Sequence, residues 1–168
     1  HEIPLKLKGA SYLEILQSGG GILDTVCQTR AMDEDELFSR ASGFLDEQLR
    51  LGVTTTEIKS GYGLDLENER KQLRVIARLN REHAMDVVAT CMAAHAVPPE
   101  FAGRTDDYVD FVCAELLPSI AKEHLAQYCD VFCETGVFSV EQSRRVLETA
   151  RSLGMGLKIH ADEIDALG

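Results

Sequence analysis

Residues that could hold a metal ion or transfer a proton follow apolar segments of this sequence. His95 comes directly after the apolar run 87–94, and His160 ends the short segment 156–160. An imidazole suits a divalent transition metal. Glu163 follows three residues later, close enough to share a site with His160 and to act as a general acid or base. Taken singly, His160 is more typical of a hydrogen-bonded core histidine and Glu163 of a solvated carboxylate, whereas His95 fits a functional and a structural interpretation equally.

A glycine-rich turn, Ser60-Gly-Tyr-Gly63, follows another β-branched segment. Tyr62 within it is either a ring presented to a ligand or a tyrosine packed in its own loop. Asp65 offers an N-cap for the helix that comes next. Glu67 and Glu69 fall in its first turn, where the helix dipole favours acidic residues.

These polar positions are set by an alternation of strands and helices. Predicted strands start near residues 53, 87, 129 and 157, a spacing typical of βα units. Helices are predicted over 33–51, 65–83, 107–123 (with a kink at Pro118) and 139–153. The pattern predicts an α/β fold whose parallel strands carry polar residues at their C-terminal ends. The active-site face of a (β/α)8 barrel has this arrangement, and so does a doubly wound sheet, which periodicity cannot separate from it.

Composition excludes several classes of protein. The 168 residues contain 17 Lys and Arg against 28 Asp and Glu, a formal net charge of −11, which disfavours binding to nucleic acid. No segment is apolar for long enough to cross a membrane. The five cysteines are an odd number without a C-x-x-C pair, and they are typical of reduced thiols in a cytoplasmic protein. A thiolate zinc site or a redox pair is the alternative interpretation of the cysteines.

Several motifs together resemble one family. They are Gly9-Ala-Ser-Tyr-Leu-Glu-Ile15, Gly19-Gly-Gly-Ile22, Thr54–Leu64 (TTTEIKSGYGL), Ala94-His-Ala-Val-Pro-Pro99, Asp130-Val-Phe-Cys-Glu134 and Lys158-Ile-His-Ala-Asp-Glu163. In this order and spacing the chain resembles the imidazolonepropionases of the amidohydrolase superfamily, nearly from end to end.

The resemblance implies a fold. The family has a (β/α)8 barrel with a small β-rich domain, and this chain is similar to its strands two to five with their helices. Residues 1–168 are therefore expected to form an incomplete metal-dependent hydrolase barrel domain, a partial TIM-type barrel without the first strand and the last three. A closed barrel typically needs about 250 residues.

The resemblance also implies an activity, the opening of the ring of 4-imidazolone-5-propanoate by water to give N-formimidoyl-L-glutamate. One zinc or iron ion would lower the pKa of a bound water toward about 7. His160 matches a metal ligand, and Glu163 matches an acidic residue that binds the ring and is a candidate proton carrier. His95 matches a histidine that polarises the carbonyl or activates water. Tyr62 matches a substrate-binding tyrosine, and Tyr12 matches a further pocket residue.

The chain departs from the family pattern in its metal ligands. It matches one of the four, His160, whereas a catalytic zinc typically takes three protein ligands and a water. The other ligands are expected outside this chain, which alone should be inactive, and the intact enzyme is expected to be a homo-oligomer. Two alternatives stay open: another cyclic-amide hydrolase or deaminase of the superfamily, and a non-catalytic half barrel that acts as an interaction module.

Overall fold

The part of the chain that the structure describes contains one four-stranded parallel sheet. The computed structural model describes residues 22–163 and residue 166, so that Tyr12 and the Gly19–Gly21 run lie outside the described residues. The strands are β1 (Thr55–Lys59), β2 (Asp86–Ala94), β3 (Tyr128–Cys133) and β4 (Gly156–Ala161). All three pairings between neighbours are parallel, and the spatial order β1-β2-β3-β4 follows the chain.

The connecting helices are α1 (Ile22–Ala31), α2 (Glu34–Arg50), α3 (Leu66–Glu82), α4 (Thr105–Phe111), α5 (Leu117–Lys122) and α6 (Val140–Ser152). Three of them, α2, α3 and α6, agree closely with predicted ones, whereas α1 lies in a segment that the sequence left without a predicted helix. Asp33 and Ser139 each begin their helix with a capping box, in which the cap side chain and the side chain at N3 satisfy each other's backbone N–H groups. Among the described residues, no helix is long and apolar enough to cross a membrane.

The segment predicted as one kinked helix over 107–123 is divided in three. A π-helical turn, Val112–Leu116, joins α4 to α5 and ends two residues before Pro118. Proline has no N–H to donate and its ring crowds the preceding turn, which disturbs the regular hydrogen bonding of an α-helix. The distortion therefore lies one turn earlier than the predicted kink.

The hydrophobic core lies between the helices and one face of the sheet. Strand residues that point to this side alternate along the chain and are Val87, Ala89, Cys91, Ala93, Cys129 and Val131. They pack with Leu73 and Ile76 of α3 and Val146 of α6, all of them buried. Because side chains alternate across a strand, the intervening residues, among them Thr90 and Asp130, face the other side.

The sheet is half of a barrel rather than a doubly wound sheet. In a doubly wound sheet the strand order reverses and helices cover both faces. Here the strand order is sequential. The face of the sheet opposite the helices carries Glu57, Lys59, Thr90, Asp130 and Lys158, whose side chains are linked by hydrogen bonds and ion pairs. The α/β prediction is confirmed, and four parallel strands form a half barrel with its helices outside.

Candidate active site

Charged side chains pair across the inner face of the half barrel. Lys59 Nζ on β1 lies 2.5 Å from Oδ2 of Asp130 on β3 and 3.4 Å from Oε1 of Glu57. The same Glu57 oxygen lies 2.5 Å from Lys158 Nζ on β4, and it accepts a hydrogen bond from Thr90. The network therefore ties the four described strands together on the face opposite the described helices.

The pKa of Glu57 shows how strongly this network favours the carboxylate. Burial acts to raise the pKa, but the hydrogen bonds from Lys158 and Thr90 and the charge of Lys59 outweigh it and lower the pKa to about 2. A carboxylate that receives such donors stays ionised far into the acid range.

His160 belongs to the same face. Its neighbours Leu157 and Ile159 lie on the side toward α6, where they line a groove with Leu147. The His160 side chain lies on the opposite side, and its Nδ1 is 3.0 Å from Oδ1 of Asp130. This confirms the expectation that His160 points away from Leu157 and Ile159 and into the barrel. Within the described residues only Nδ1 of this ring is hydrogen-bonded, so that Nε2 stays available.

Tyr62 and His95 meet where β1 and β2 end. Their ring centroids lie 6.0 Å apart in an edge-to-face arrangement, and the ring of His95 also lies 5.8 Å from Phe132 of β3. Burial is the largest of the effects that lower the pKa of His95, and the charge of His160 adds to it. The imidazole of His95 is therefore neutral at pH 7. Its Nδ1 is buried and has no hydrogen-bond partner among the described residues.

Glu163 sits where the chain leaves β4. Its backbone N–H donates to Oε2 of Glu134, 3.2 Å away, and the Glu134 side chain is almost completely buried. The Glu163 side chain is exposed. The negative charge of Glu163 nevertheless acts to raise the pKa of His95.

The structure thus brings together four of the five residues singled out in the sequence. Tyr62, His95, His160 and Glu163 all lie at the C-terminal ends of their strands, and Tyr12 falls outside the described residues. Sequence reasoning missed Asp130, the buried partner of both His160 and Lys59. Its signal was an acidic residue in an otherwise apolar strand, because such a charge needs a partner inside the fold.

Glu69 lies in the first turn of α3, as the sequence predicted, but it has a further role that the sequence did not indicate. Its side chain is fully buried, and its carboxylate accepts hydrogen bonds from the backbone of the turn that carries Tyr62. A buried carboxylate requires such donors, whereas a purely dipolar interaction would leave it in water.

The described residues do not form a metal site by themselves. Among them, no three His, Cys, Asp or Glu side chains are grouped so that they could hold an ion. His160 has one free ring nitrogen, and a carboxylate holds the other, an arrangement typical of metal-binding histidines. One ligand is nevertheless fewer than the three or four protein ligands that zinc takes.

The cysteines are free thiols, as the sequence predicted. Cys91, Cys129 and Cys133 are buried, Cys113 is half-buried and Cys27 is exposed. Burial raises the pKa of Cys91 to about 12 and raises that of Cys129 as well. Because the thiolate is the nucleophile and the metal ligand, neither of these two residues is suited to redox chemistry or to zinc binding.

Comparison with known proteins identifies relatives that match the chain from end to end. It is 56% identical over 167 residues to imidazolonepropionase of Parabacteroides distasonis, 55% identical over 168 residues to that of Alkaliphilus oremlandii, and 52% identical over 167 residues to that of Clostridium tetani. The chain is homologous to a segment of imidazolonepropionase. The matches include 99–100% of this chain and 40% of each relative, so the chain spans about two fifths of the imidazolonepropionases it matches.

Other comparisons add little to the imidazolonepropionase assignment. No family model matches the chain. A solved structure of a dipeptide epimerase from Methylococcus capsulatus, complexed with a Mg ion, covers 76% of this chain and 45% of its own, with 13% identity and a TM-score of 0.28. A likeness at this level supports no conclusion about the fold or the function.

Proposed function

We propose that the intact enzyme containing this segment opens the ring of 4-imidazolone-5-propanoate with water, giving N-formimidoyl-L-glutamate. One observation carries the proposal. A chain 52–56% identical to imidazolonepropionases gathers Tyr62, His95, His160 and Glu163 at one end of a parallel half barrel. This end of such barrels is where active sites lie.

The reaction requires one bond to form and one to break. The oxygen of water bonds to the ring carbonyl carbon, the bond from that carbon to the ring nitrogen breaks, and the nitrogen takes up a proton. We assign proton transfer to Glu163, whose exposed carboxylate lies at the exit of β4. A carboxylate positioned as a general acid or base typically contributes about 10²–10⁴-fold to the rate of the reaction.

His95 is assigned to the carbonyl oxygen of the substrate. Its burial lowers the pKa, so that the neutral ring presents one N–H donor at pH 7 without adding a second charge beside Lys59. A preorganised donor aimed at an oxygen that becomes negative stabilises the transition state. Tyr62, in edge contact with His95, is assigned to binding of the substrate, and Tyr12 to the same pocket.

His160 is assigned as one ligand of a single zinc or iron ion. Its support is the free Nε2 beside an Nδ1 held by a carboxylate. The remaining ligands are proposed to come from parts of the intact enzyme outside these 168 residues, and this chain is proposed to be an incomplete barrel domain, 1–168. The intact enzyme is proposed to be a cytoplasmic homo-oligomer with no membrane or nucleic-acid partner.

The test compares the intact enzyme with the 168-residue chain. The purified intact enzyme, incubated with 4-imidazolone-5-propanoate, should consume the substrate and produce N-formimidoyl-L-glutamate at an enzyme-like rate. The chain alone, supplied with zinc or iron, should leave the substrate's absorbance unchanged, because it offers one of the required ligands. If the intact enzyme instead hydrolysed a different cyclic amide, or removed the amino group of a nucleobase, and left this substrate unchanged, the assignment would be overturned.

A further inference from the structure

Glu69 is a buried carboxylate outside the group of residues assigned to the reaction. It lies in the first turn of α3, and its side chain is fully buried. No ion pair to it is found within residues 22–163. A carboxylate taken out of water is stable only where it receives strong hydrogen bonds. The groups that donate to Glu69 therefore indicate which part of the structure this side chain stabilises.

Those donors are backbone N–H groups of the turn that carries Tyr62. Glu69 Oε1 accepts from the N–H of Gly63 and of Leu64, each at 2.8 Å, and the N–H of Gly61 lies 3.0 Å from Oε2. Hydrogen bonds to an ionised acceptor are roughly twice as strong as neutral ones. One side chain therefore fixes the backbone on both sides of Tyr62.

The turn itself is closely packed and allows little alternative geometry. Gly61 has a φ of +102°, and a Cβ added there would lie 2.6 Å from the backbone oxygen of Met92 on β2. A Cβ at Gly63 would lie 2.5 Å from the backbone of Asn68 in α3. The turn is thus wedged between the strand that leads to His95 and the helix that carries Glu69.

Arg30 at the end of α1 holds the same turn from outside. Its Nε donates to the carbonyl oxygen of Gly63 at 2.7 Å, and its Nη1 lies 2.6 Å from Glu100 in the short 3-10 helix Pro99–Phe101, within the connection that follows His95. The two loops are joined at their outer ends by this guanidinium and at their tips by the edge contact between Tyr62 and His95.

We infer that Glu69 is a positioning residue that sets the place of the Tyr62 ring against His95 in the substrate pocket. The inference rests on the proposed function, in which Tyr62 binds the substrate. Glu69 itself touches no reacting atom. Replacing its carboxylate with an amide sets an N–H₂ group against one of the backbone N–H groups, so that the turn must move. A misplacement of about 1 Å far from the chemistry can cost about 10²-fold in rate.

The test is a double-mutant cycle in the intact enzyme with 4-imidazolone-5-propanoate as the substrate. Glu69→Gln should lower kcat/KM by up to about 100-fold, mainly by raising KM, with a smaller change in kcat. Tyr62→Ala should raise KM as well, and Glu69→Gln added to Tyr62→Ala should change KM little further, because both act through one ring. Glu67→Gln is the matched control, since its side chain in the same helical turn is 69% exposed, and it should leave KM unchanged.

Hydrogen exchange supplies a readout that needs no activity. In Glu69→Gln the amides of Gly61, Gly63 and Leu64 should exchange faster than in the parent, whereas those of β3 should not change. If Glu69→Gln does not fold, Glu69→Asp takes its place: it keeps the charge but is one methylene shorter, and it should raise KM to a smaller extent.

The outcomes separate the two claims. If Tyr62→Ala raises KM while Glu69→Gln leaves KM and the amide exchange unchanged, the positioning role is wrong and the proposed function stands. KM effects of Glu69→Gln and Tyr62→Ala that simply multiply would likewise overturn the positioning role. If Tyr62→Ala leaves KM unchanged, the proposed role of Tyr62 fails, and the inference fails with it.

Discussion

The imidazole of His160 is held by the carboxylate of Asp130, with 3.0 Å between Nδ1 and Oδ1. Asp130 is 1% exposed, whereas the side chain of His160 is 44% exposed. A buried acceptor at Nδ1 favours the tautomer with its proton there, which leaves the lone pair of Nε2 for a metal. The two residues lie 30 positions apart on β3 and β4, and strand pairing brings them together.

Removal of the Asp130 carboxylate should weaken metal binding. Asp130→Ala frees the ring of His160, and loss of such a supporting group typically costs about 10–100-fold in metal affinity. Competition with a chelator on the intact enzyme measures the change. Lys59→Met is the control, because it breaks the contact of Lys59 with Oδ2 of Asp130 and leaves the one with His160. Equal metal affinity in the parent and in Asp130→Ala would refute the orienting role.

Glu163→Gln should separate chemistry from metal binding. The amide has nearly the same shape as the carboxylate but cannot carry a proton, so the rate should fall by about 10²–10⁴-fold while the metal content stays the same. Steady-state kinetics and elemental analysis on one preparation measure both. Glu141→Gln, at an exposed position of α6, should change neither. Full activity in Glu163→Gln would remove this residue from the mechanism.

Glu57 should make the stability of the chain depend on pH in the acid range. Its pKa is about 2 in the folded chain, against an ordinary value of 4.5. A group whose pKa is lowered by folding stabilises the fold above its ordinary value, and this stabilisation is lost as pH falls from about 4.5 to about 2. In Glu57→Gln the free energy of unfolding should therefore change less over that range.

Urea unfolding at a series of pH values measures this effect. Glu148→Gln, at an exposed position of α6, removes the same formal charge and is the control. An identical loss of stability between pH 4.5 and pH 2 in Glu57→Gln and in the parent would show that the network around Glu57 contributes nothing to folding.

Much of the fold could be predicted because local rules decide it. Asp65 and Ser139 begin their helices as their side chains predict, and Gly154, with a φ of +82°, follows the end of α6. Polar residues at the strand ends identified His95 and His160, since parallel strands bring their C-terminal ends to one edge. The helix caps and the glycine after α6 depend on neighbours a few residues away, and the strand ends follow from the alternation of strands and helices.

What escaped prediction depends on contacts between distant residues. Lys59 and Asp130 are 71 positions apart, and which strand lies beside which cannot be deduced from a spacing of βα units. The acidic Glu69 fits a helix dipole equally well from sequence alone. Only the closeness of the glycine turn to α3 distinguishes a buried acceptor from a solvated charge.

Metal content of the intact enzyme after His160→Ala tests the account most directly, because it asks whether this half barrel supplies a ligand to the active site. His124→Ala, which removes an exposed histidine, is the control. Elemental analysis should find near-stoichiometric zinc or iron in the parent and in His124→Ala, and almost none in His160→Ala. Near-stoichiometric metal in His160→Ala would contradict the assignment of His160 as a metal ligand.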